Sequence, residues 1–303
     1  MIMDLLFPSY KEFIPEFDRF QERLRQPIPV HVRINRLKAD PETVTGALAR
    51  KGVDLQRSTP ATDTLYRAEG AGSAGNLLEY FLGHIHPQAL TSCLAAVALE
   101  PPEGAFVLDM CAAPGGKTSH MAQLMNNTGL IVANELYAGR HIPLGHTLER
   151  LGVLNAVITG YPAQEFPMRH LFDRIMADVP CSGEGRFRKL KRASRYVETG
   201  GREALPRLQK RIALRGFDLL RPGGEMLYAT CTYNPEENES VVNSVLQRRE
   251  ARLLPIRVGI PHDPGIPGWK GEVYDPQIEK AARFYPHRVD SVGFFMARIG
   301  RRR

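Results

Sequence analysis

The chain has 303 residues, of which 43% are hydrophobic and 24% charged, and its 40 Lys and Arg outnumber its 33 Asp and Glu for a net charge of +7. That length carries one large or two smaller domains with a sizeable core, the composition excludes a disordered or fibrous chain, and the cationic excess suits a polyanionic partner. The four cysteines, at 93, 111, 181 and 231, show no Cys-x-x-Cys spacing, so neither a zinc site nor a disulfide framework is expected. Met1 to Phe7 carries an acidic residue where a signal peptide would be basic, and no apolar run is long enough to span a membrane. A cytoplasmic protein with no metal is expected.

Residues 1–85 read as a separate small α/β unit. Phe13, Ile14, Phe17, Phe20 and Leu24 fall at helical spacing within residues 10–25, and Gln26-Pro27 ends that helix. A strand over 30–34 and a helix over 41–50 follow, and cations at Arg33, Arg36, Lys38, Arg50, Lys51 and Arg57 could track a phosphate backbone or form a solvated face. The glycine-rich stretch 68–75 reads as a linker or mobile loop at the domain boundary.

From residue 86 helix and strand alternate: a helix from Pro87 to Ala96, a strand over 106–108 ended by Asp109, then helix 117–125, strand 130–134, helix 138–151 and strand 155–159. A fourth strand, 173–178, ends in Asp178. Helix 202–220 and the turn Arg221-Pro-Gly-Gly224 lead into a fifth strand ending at Thr230, followed by a helix over 236–249 and a strand near 293–299. This alternation predicts a doubly wound, mostly parallel sheet with its ligand site at the carboxyl ends of the strands.

Four strand ends carry the candidate chemistry. After the first, Asp109 to Lys117 forms a turn, with Cys111, Ala112, Ala113, Pro114, Gly115 and Gly116 bringing backbone N–H groups close to a ligand at a helix start. A phosphate loop would need glycine where Cys111 stands, so a nucleoside is preferred, with Glu135 after the next strand on the ribose hydroxyls. The fourth and fifth strands end in Asp178-Val-Pro-Cys181 and Thr230-Cys231-Thr232, which puts two thiols at one sheet edge among turn formers. Cys93 and Cys111 read as small buried hydrophobes. The basic run Arg186-Phe-Arg188-Lys189 follows directly and is a candidate phosphate contact.

The stretches 108–118, 178–185 and 228–238 together resemble the RNA cytosine-C5 methyltransferases of the Nop/Sun family, with further likeness at 33–38 and 283–295. Within the family the chain looks most like the bacterial small-subunit (16S) rRNA enzymes, without their extra C-terminal RNA-binding module. The resemblance implies a seven-stranded Rossmann-like methyltransferase sheet over 86–303, S-adenosyl-L-methionine as cofactor, and RNA as substrate, ribosomal ahead of transfer RNA, for a protein expected to be a monomer. It implies that Cys231 adds to C6 of cytosine, that Cys181 serves elimination and release, and that Asp178 holds the base edge and touches the cofactor. The reverse assignment of the two thiols stays open, since related DNA enzymes use a Pro-Cys cysteine as nucleophile. Cofactor contacts fall on 111–117 and Glu135, and RNA contacts on Arg33, Arg186, Arg188 and Lys189. One departure stands out: relatives place an aspartate after the third strand, where this chain has Pro162, leaving Gln164 or Glu165 as substitutes for the adenine contact. A phosphate-loop nucleotide hydrolase using Lys117, Thr118 and Asp178, and an RNA-binding assembly factor without catalysis, are the alternatives.

Overall fold

The computed structural model describes residues 5–188 and 204–302. Its first sheet is small and wholly antiparallel: β1 (His31–Ile34), β2 (Asp54–Arg57), β3 (Leu65–Glu69) and β4 (Ile85–Pro87) lie in the order β2-β3-β1-β4. Helix α1 (Phe17–Leu24) precedes it, and α2 (Pro41–Ala49) packs Val44 and Leu48 into its core. Asp40 caps α2 by accepting from the Thr43 N–H, with Pro41 at the first turn, as helix starts favour.

Three expectations shift here. The small sheet extends past residue 85, because Val32 pairs with Pro87, so the helix expected from Pro87 begins later. The glycine-rich stretch is no loose linker, since Ala71 and Ala74 are buried in the core of the small sheet. Helix α1 packs elsewhere than on the small sheet: Phe17, Phe20 and Leu24 cluster with Tyr233 and Tyr285, and the Phe20 ring stands edge-on to Tyr233 at 5.2 Å between centroids.

After the short helix α3 (Leu78–Phe81), helix α4 (Leu90–Leu99) leads into the second sheet. Its strands β5 (Phe106–Asp109), β6 (Leu130–Asn134), β7 (Ala156–Thr159), β8 (Phe172–Asp178) and β9 (Leu220–Thr230) run parallel in the order β7-β6-β5-β8-β9. Helices α5 (Gly116–Leu124), α6 (Ala138–Arg150) and α7 (Ala204–Asp218) connect them, the last followed directly by β9. Beyond β9 come α8 (Glu239–Arg248), β10 (Ala251–Leu254), β11 (Asp263–Pro264), the hairpin β12 (Gly268–Trp269) and β13 (Glu272–Val273), β14 (Ala282–Phe284), α9 (Pro286–Val289) and β15 (Phe294–Arg301). Strand β15 enters antiparallel beside β9 and carries β14 and β10 on its far side, and β11 closes that edge. The order β7-β6-β5-β8-β9-β15-β14 is the expected seven-stranded Rossmann-like sheet, and the two short additions β10 and β11 make nine strands among the described residues.

Side-chain alternation gives the sheet two buried faces. Leu108, Ile175 and Tyr228 face α7 and α8, while Val107, Met176 and Leu227 face α4 and α5. The expected Arg221-Pro-Gly-Gly224 turn stands as a bulge within β9: Gly223 is left-handed (φ 78°), and the register against β8 jumps from Phe172–Leu220 to Arg174–Glu225 across it. No helix of the described residues is long and apolar enough to cross a membrane.

Candidate active site

The carboxyl ends of β5, β6, β8 and β9 converge on one edge, because parallel neighbours end on the same side. Asp109 closes β5 with one oxygen accepting from Thr118 Oγ1 at 2.7 Å, while the other, Oδ1, is buried and has no partner. Burial, reinforced by the charge of Asp178, pushes its carboxyl up to about 6. Gly115 starts α5 from a left-handed conformation (φ 102°), where a side chain would be strained and would also press on Leu144 and Thr147 of α6 at 3.1 and 3.2 Å. A Cβ on Gly116 would meet His86 and Gln88 at 3.1 and 3.3 Å, so both glycines permit the loop's close packing.

Glu135 is buried just beyond β6. Its Oε1 accepts from the Tyr137 N–H at 3.1 Å and its Oε2 pairs with Arg140 at 3.0 Å, and Arg140 also donates to Ala113 O in the loop at 2.8 Å. The ends of β5, β6 and β7 are stapled by Asn134, which donates to Met110 O and Tyr161 O and accepts from the Tyr161 N–H and Thr159 Oγ1, all within 3.1 Å. The sequence reading passed over Asn134. A buried asparagine that ends a strand is its only signal. Gln164 and Glu165 lie in the one-turn helix Ala163–Glu165, and the Glu165 carboxylate points into solvent to pair with Arg211 at 3.2 Å.

At the end of β8, Asp178 Oδ2 accepts from Lys117 Nζ at 2.7 Å. Lys117 also donates to Ser92 Oγ at 2.8 Å and lies over the Phe294 ring, 5.5 Å from its centroid. Burial alone would lower the Lys117 pKa. Asp178 outweighs it and raises the value, so the lysine stays an ammonium. Ser92 is a second residue the sequence did not single out, since nothing distinguishes it from other small residues on an apolar helix.

The two thiols meet. Cys181 Sγ lies 3.4 Å from Cys231 Sγ, and the Cys231 N–H donates to Cys181 Sγ at 3.4 Å. The hydrogen bond from Cys181 holds Cys231 below the ordinary thiol range, with Arg186 and Lys117 adding to that effect and outweighing burial and Asp178. Cys181 is pushed well up, first by giving its proton to that bond and then by burial. When the pair loses a proton, the charge therefore falls on Cys231 rather than on Cys181. Ser182 Oγ and Thr232 Oγ1 lie 2.7 Å apart, and Thr232 Oγ1 and Tyr10 OH both donate to Glu184, at 3.0 Å each, so the N-terminal segment buttresses the thiol loops.

Against this geometry, a sequence model of the family described as 16S rRNA methyltransferase RsmB/F matches residues 96–300, more than half of the chain. The chain belongs to the RsmB/F family. Among its relatives, the human 28S rRNA (cytosine(4447)-C(5))-methyltransferase is 36% identical over 98% of this chain and 37% of its own length. The tRNA (cytosine(49)-C(5))-methyltransferase of Pyrococcus abyssi is 35% identical over 94% of this chain and 92% of its own. The chain thus spans little more than a third of the human relative and nearly all of the archaeal one. The crystal structure of NSun6 from Pyrococcus horikoshii with SFG superposes with a TM-score of 0.82 at 25% identity, covering 97% of both chains.

The residues of this RsmB/F-family chain fit an S-adenosylmethionine-type ligand. Asp109, Glu135 and Asp178 place carboxylates at three strand ends of one edge, and the orphaned Asp109 Oδ1 is a buried acceptor that lacks a donor, as a ligand carrying a sulfonium, an ammonium and ribose hydroxyls would supply.

Two of the expected RNA contacts are spent inside the protein. Arg33 is 0% exposed on β1, an inner strand of the small sheet, where it donates to Ser119 Oγ at 2.9 Å and to Gln123 of α5. Burial lowers its pKa to about 10, and it ties the small sheet to the helix after the ligand loop. The Arg188 guanidinium is buried against Asp290 at 3.1 Å and donates to Gln26 O, Pro27 O and Ser291 O. Neither faces a phosphate backbone. Arg186 is exposed, and its charge acts on Cys231. Lys189 lies outside the described residues. Cys93 is buried, its thiol pushed up to about 12, and Cys111 packs partly buried against the core with its thiol also raised by burial.

Proposed function

We propose that the chain transfers a methyl group from S-adenosyl-L-methionine to C5 of a cytosine in RNA through a covalent adduct of Cys231 with C6. The observation that carries this reading is the thiol pair, 3.4 Å apart, at the same sheet edge as the Lys117–Asp178 ion pair. C5 of cytosine is too weak a nucleophile to react unaided, so the Cys231 thiolate adds to C6 and moves an electron pair onto C5. The cofactor supplies an electrophilic methyl on its sulfonium. Asp178, with Oδ2 taken by Lys117, has Oδ1 left to hold the base edge at a protonated N3, which accepts charge from the adduct. Once C5 carries the methyl, a base takes the C5 proton, the freed electron pair restores the C5=C6 double bond, and the C6–S bond breaks to return the Cys231 thiolate; Cys181 is the group placed to serve that elimination. Glu135 and the 111–117 loop would hold the cofactor, the Glu135 carboxylate accepting from its ribose hydroxyls.

The target base must leave its stack, at a cost of a few kcal/mol, for C6 to reach a partly buried sulfur. Arg186 lies on the approach, and the unit up to Pro87 serves as support and RNA-binding domain. Ribosomal RNA is the first substrate proposed, supported by the family description. A second reading, transfer RNA, is favoured by the relative that matches this chain end to end. Labelled methyl transfer to unmodified ribosomal and transfer RNA, with nucleoside analysis, tests both. 5-Methylcytidine in either RNA supports the chemistry and names the substrate, and its absence from both, with cofactor bound, overturns the reading.

A further inference from the structure

The loops that carry the two thiols converge on one buried carboxylate that the mechanism above does not use. Glu237 is 1% exposed. Its Oε2 accepts from the Ser182 N–H and from Gln209 Nε2, each at 2.9 Å, and its Oε1 accepts from Asn234 Nδ2 at 3.2 Å. Gln209 also donates to Pro180 O at 2.8 Å, so the residues on both sides of Cys181 are tied to this one group, while Asn234 ties it to the loop after Cys231. Every partner is an N–H donor, which suits an anionic carboxylate and leaves no acceptor for a carboxyl proton. Among the described residues no Lys or Arg pairs with it. A negative charge thus sits beside Cys181 with only hydrogen bonds to support it.

We infer that Glu237 is a positioning residue that reinforces the ranking of the two thiols: it anchors the Pro180–Ser182 turn and sets a fixed negative charge beside Cys181, which favours Cys231 as the sulfur that adds to the base. The remaining charges facing the pair are Asp178 at the end of β8, Lys117 on α5, Arg186 after the Cys181 turn, and Glu184, which reaches it through Thr232. Lys117 and Arg186 favour the anion on Cys231, and Asp178 opposes it there. Glu237 acts on the other sulfur, disfavouring the anion on Cys181. The inference rests on the proposed reading only for the use made of the nucleophile; the ranking of the thiols is a property of the protein alone.

The test is alkylation by iodoacetamide across pH 6 to 10, with each modified cysteine located by mass spectrometry, on the full chain without RNA or cofactor. In the unaltered protein Cys231 reacts first at neutral pH. Glu237→Gln should bring Cys181 into reaction at lower pH and reduce the Cys231-to-Cys181 rate ratio by about tenfold, the change that one pKa unit makes. A purely structural role would slow or speed both thiols together with the ratio unchanged, and that result overturns the inference. Glu237→Asp keeps the charge one methylene further back and should retain most of the ratio. If the glutamine variant does not fold, Gln209→Leu, which removes two anchoring bonds and leaves the charge, should lower the ratio less than tenfold, and a tenfold fall there would assign the ranking to anchoring alone and overturn the role given to the charge. Absence of methyl transfer by the unaltered protein would count against the proposed function and leave the thiol ranking standing.

Discussion

Cys181 Sγ and Cys231 Sγ lie 3.4 Å apart, and Cys181 also accepts the backbone N–H of Cys231, so neither thiol can change state without the other registering it. With Cys231 as nucleophile, Cys231→Ala should reduce methyl transfer by at least about a thousandfold, as loss of a nucleophile does elsewhere. Cys181→Ala should still add to C6 and accept methyl but stall at release, so RNA and protein should migrate together on a denaturing gel. Accumulation of that adduct in Cys231→Ala instead would reverse the two assignments.

Lys117 holds Asp178 at 2.7 Å and contributes a positive charge near Cys231. A cation favours the thiolate, so removing it raises the thiol pKa, and Lys117→Met should move the pH midpoint of Cys231 alkylation upward. The alkaline shift should appear again in the acidic limb of the activity profile. Losing a charge-stabilising donor at a reacting centre costs roughly 10²-fold to 10³-fold in kcat. Alkylation midpoints equal in the two proteins would remove Lys117 from thiol activation.

Asp109 is buried with one oxygen unpartnered, and its carboxyl is pushed from near 4 up to about 6. A raised acid binds its proton more tightly in the folded than in the unfolded chain. Its contribution to stability is therefore full below pH 4 and lost as pH rises through 6. The native state at pH 8 carries a buried charge whose cost, from a shift of about 2 units, is roughly 3 kcal/mol. Asp109→Asn should melt higher than the parent at pH 8, and the difference should disappear near pH 4. The same variant should lose most of the thermal stabilisation given by S-adenosylmethionine, if the orphaned oxygen serves the ligand. Parallel melting curves at both pH values would contradict the buried-charge account.

Much of this site is legible in the chain because strand ends write themselves plainly. An apolar run followed by a carboxylate or a cysteine, then turn formers, located Asp109, Asp178, Cys181 and Cys231 at strand or loop positions that the structure brings to one edge. What stayed hidden are residues whose role depends on partners distant in sequence. Arg33 reads as a surface cation because arginine is seldom buried, yet its neighbours across the interface, Ser119 and Gln123, lie some ninety residues away. Ser92 gains its role only from Lys117, and Asn134 only from loops on either side of its strand. The Arg221-Pro-Gly-Gly224 turn is legible from composition and stands as a bulge with Gly223 at φ 78°; what composition does not show is that β9 pairs with β8 on both sides of it.

Arg186 and Arg33 can be separated by salt. Each phosphate neutralised by a side chain contributes about one to the slope of log K against log salt. Arg186 is exposed beside the thiols, so Arg186→Ala should weaken RNA binding and lower that slope by about one. Arg33 is sealed between the small sheet and α5, so Arg33→Met should leave the slope alone and lower the melting temperature, because Ser119 and Gln123 lose a buried donor. A fall in slope with Arg33→Met would mean that the interface opens to admit RNA.

Gly185 is the position where a single methyl group should separate catalysis from folding. Its N–H donates to Cys231 O at 2.9 Å, and its own carbonyl accepts from the Gly293 N–H at 2.9 Å, so three backbone segments cross at this point. A Cβ there would stand 2.2 Å from Gly293 O and 2.9 Å from Cys231 O. These are backbone atoms, and no change of rotamer relieves the overlap. Gly185→Ala must push away the Gly293 strand entry and the Cys231 carbonyl, and movement of the Cys231 backbone shifts its sulfur from the partner at 3.4 Å. Displacement of a reacting group by about 1 Å costs roughly 10²-fold. Gly185→Ala should therefore bind cofactor, keep a cooperative melting transition and lose about a hundredfold in methyl transfer, with Cys231 alkylation shifted to higher pH as the hydrogen bond from Cys181 lengthens. Full activity in this variant would mean that the loops yield without moving the thiol, and the fixed approach of the two sulfurs would then be of no consequence for the reaction.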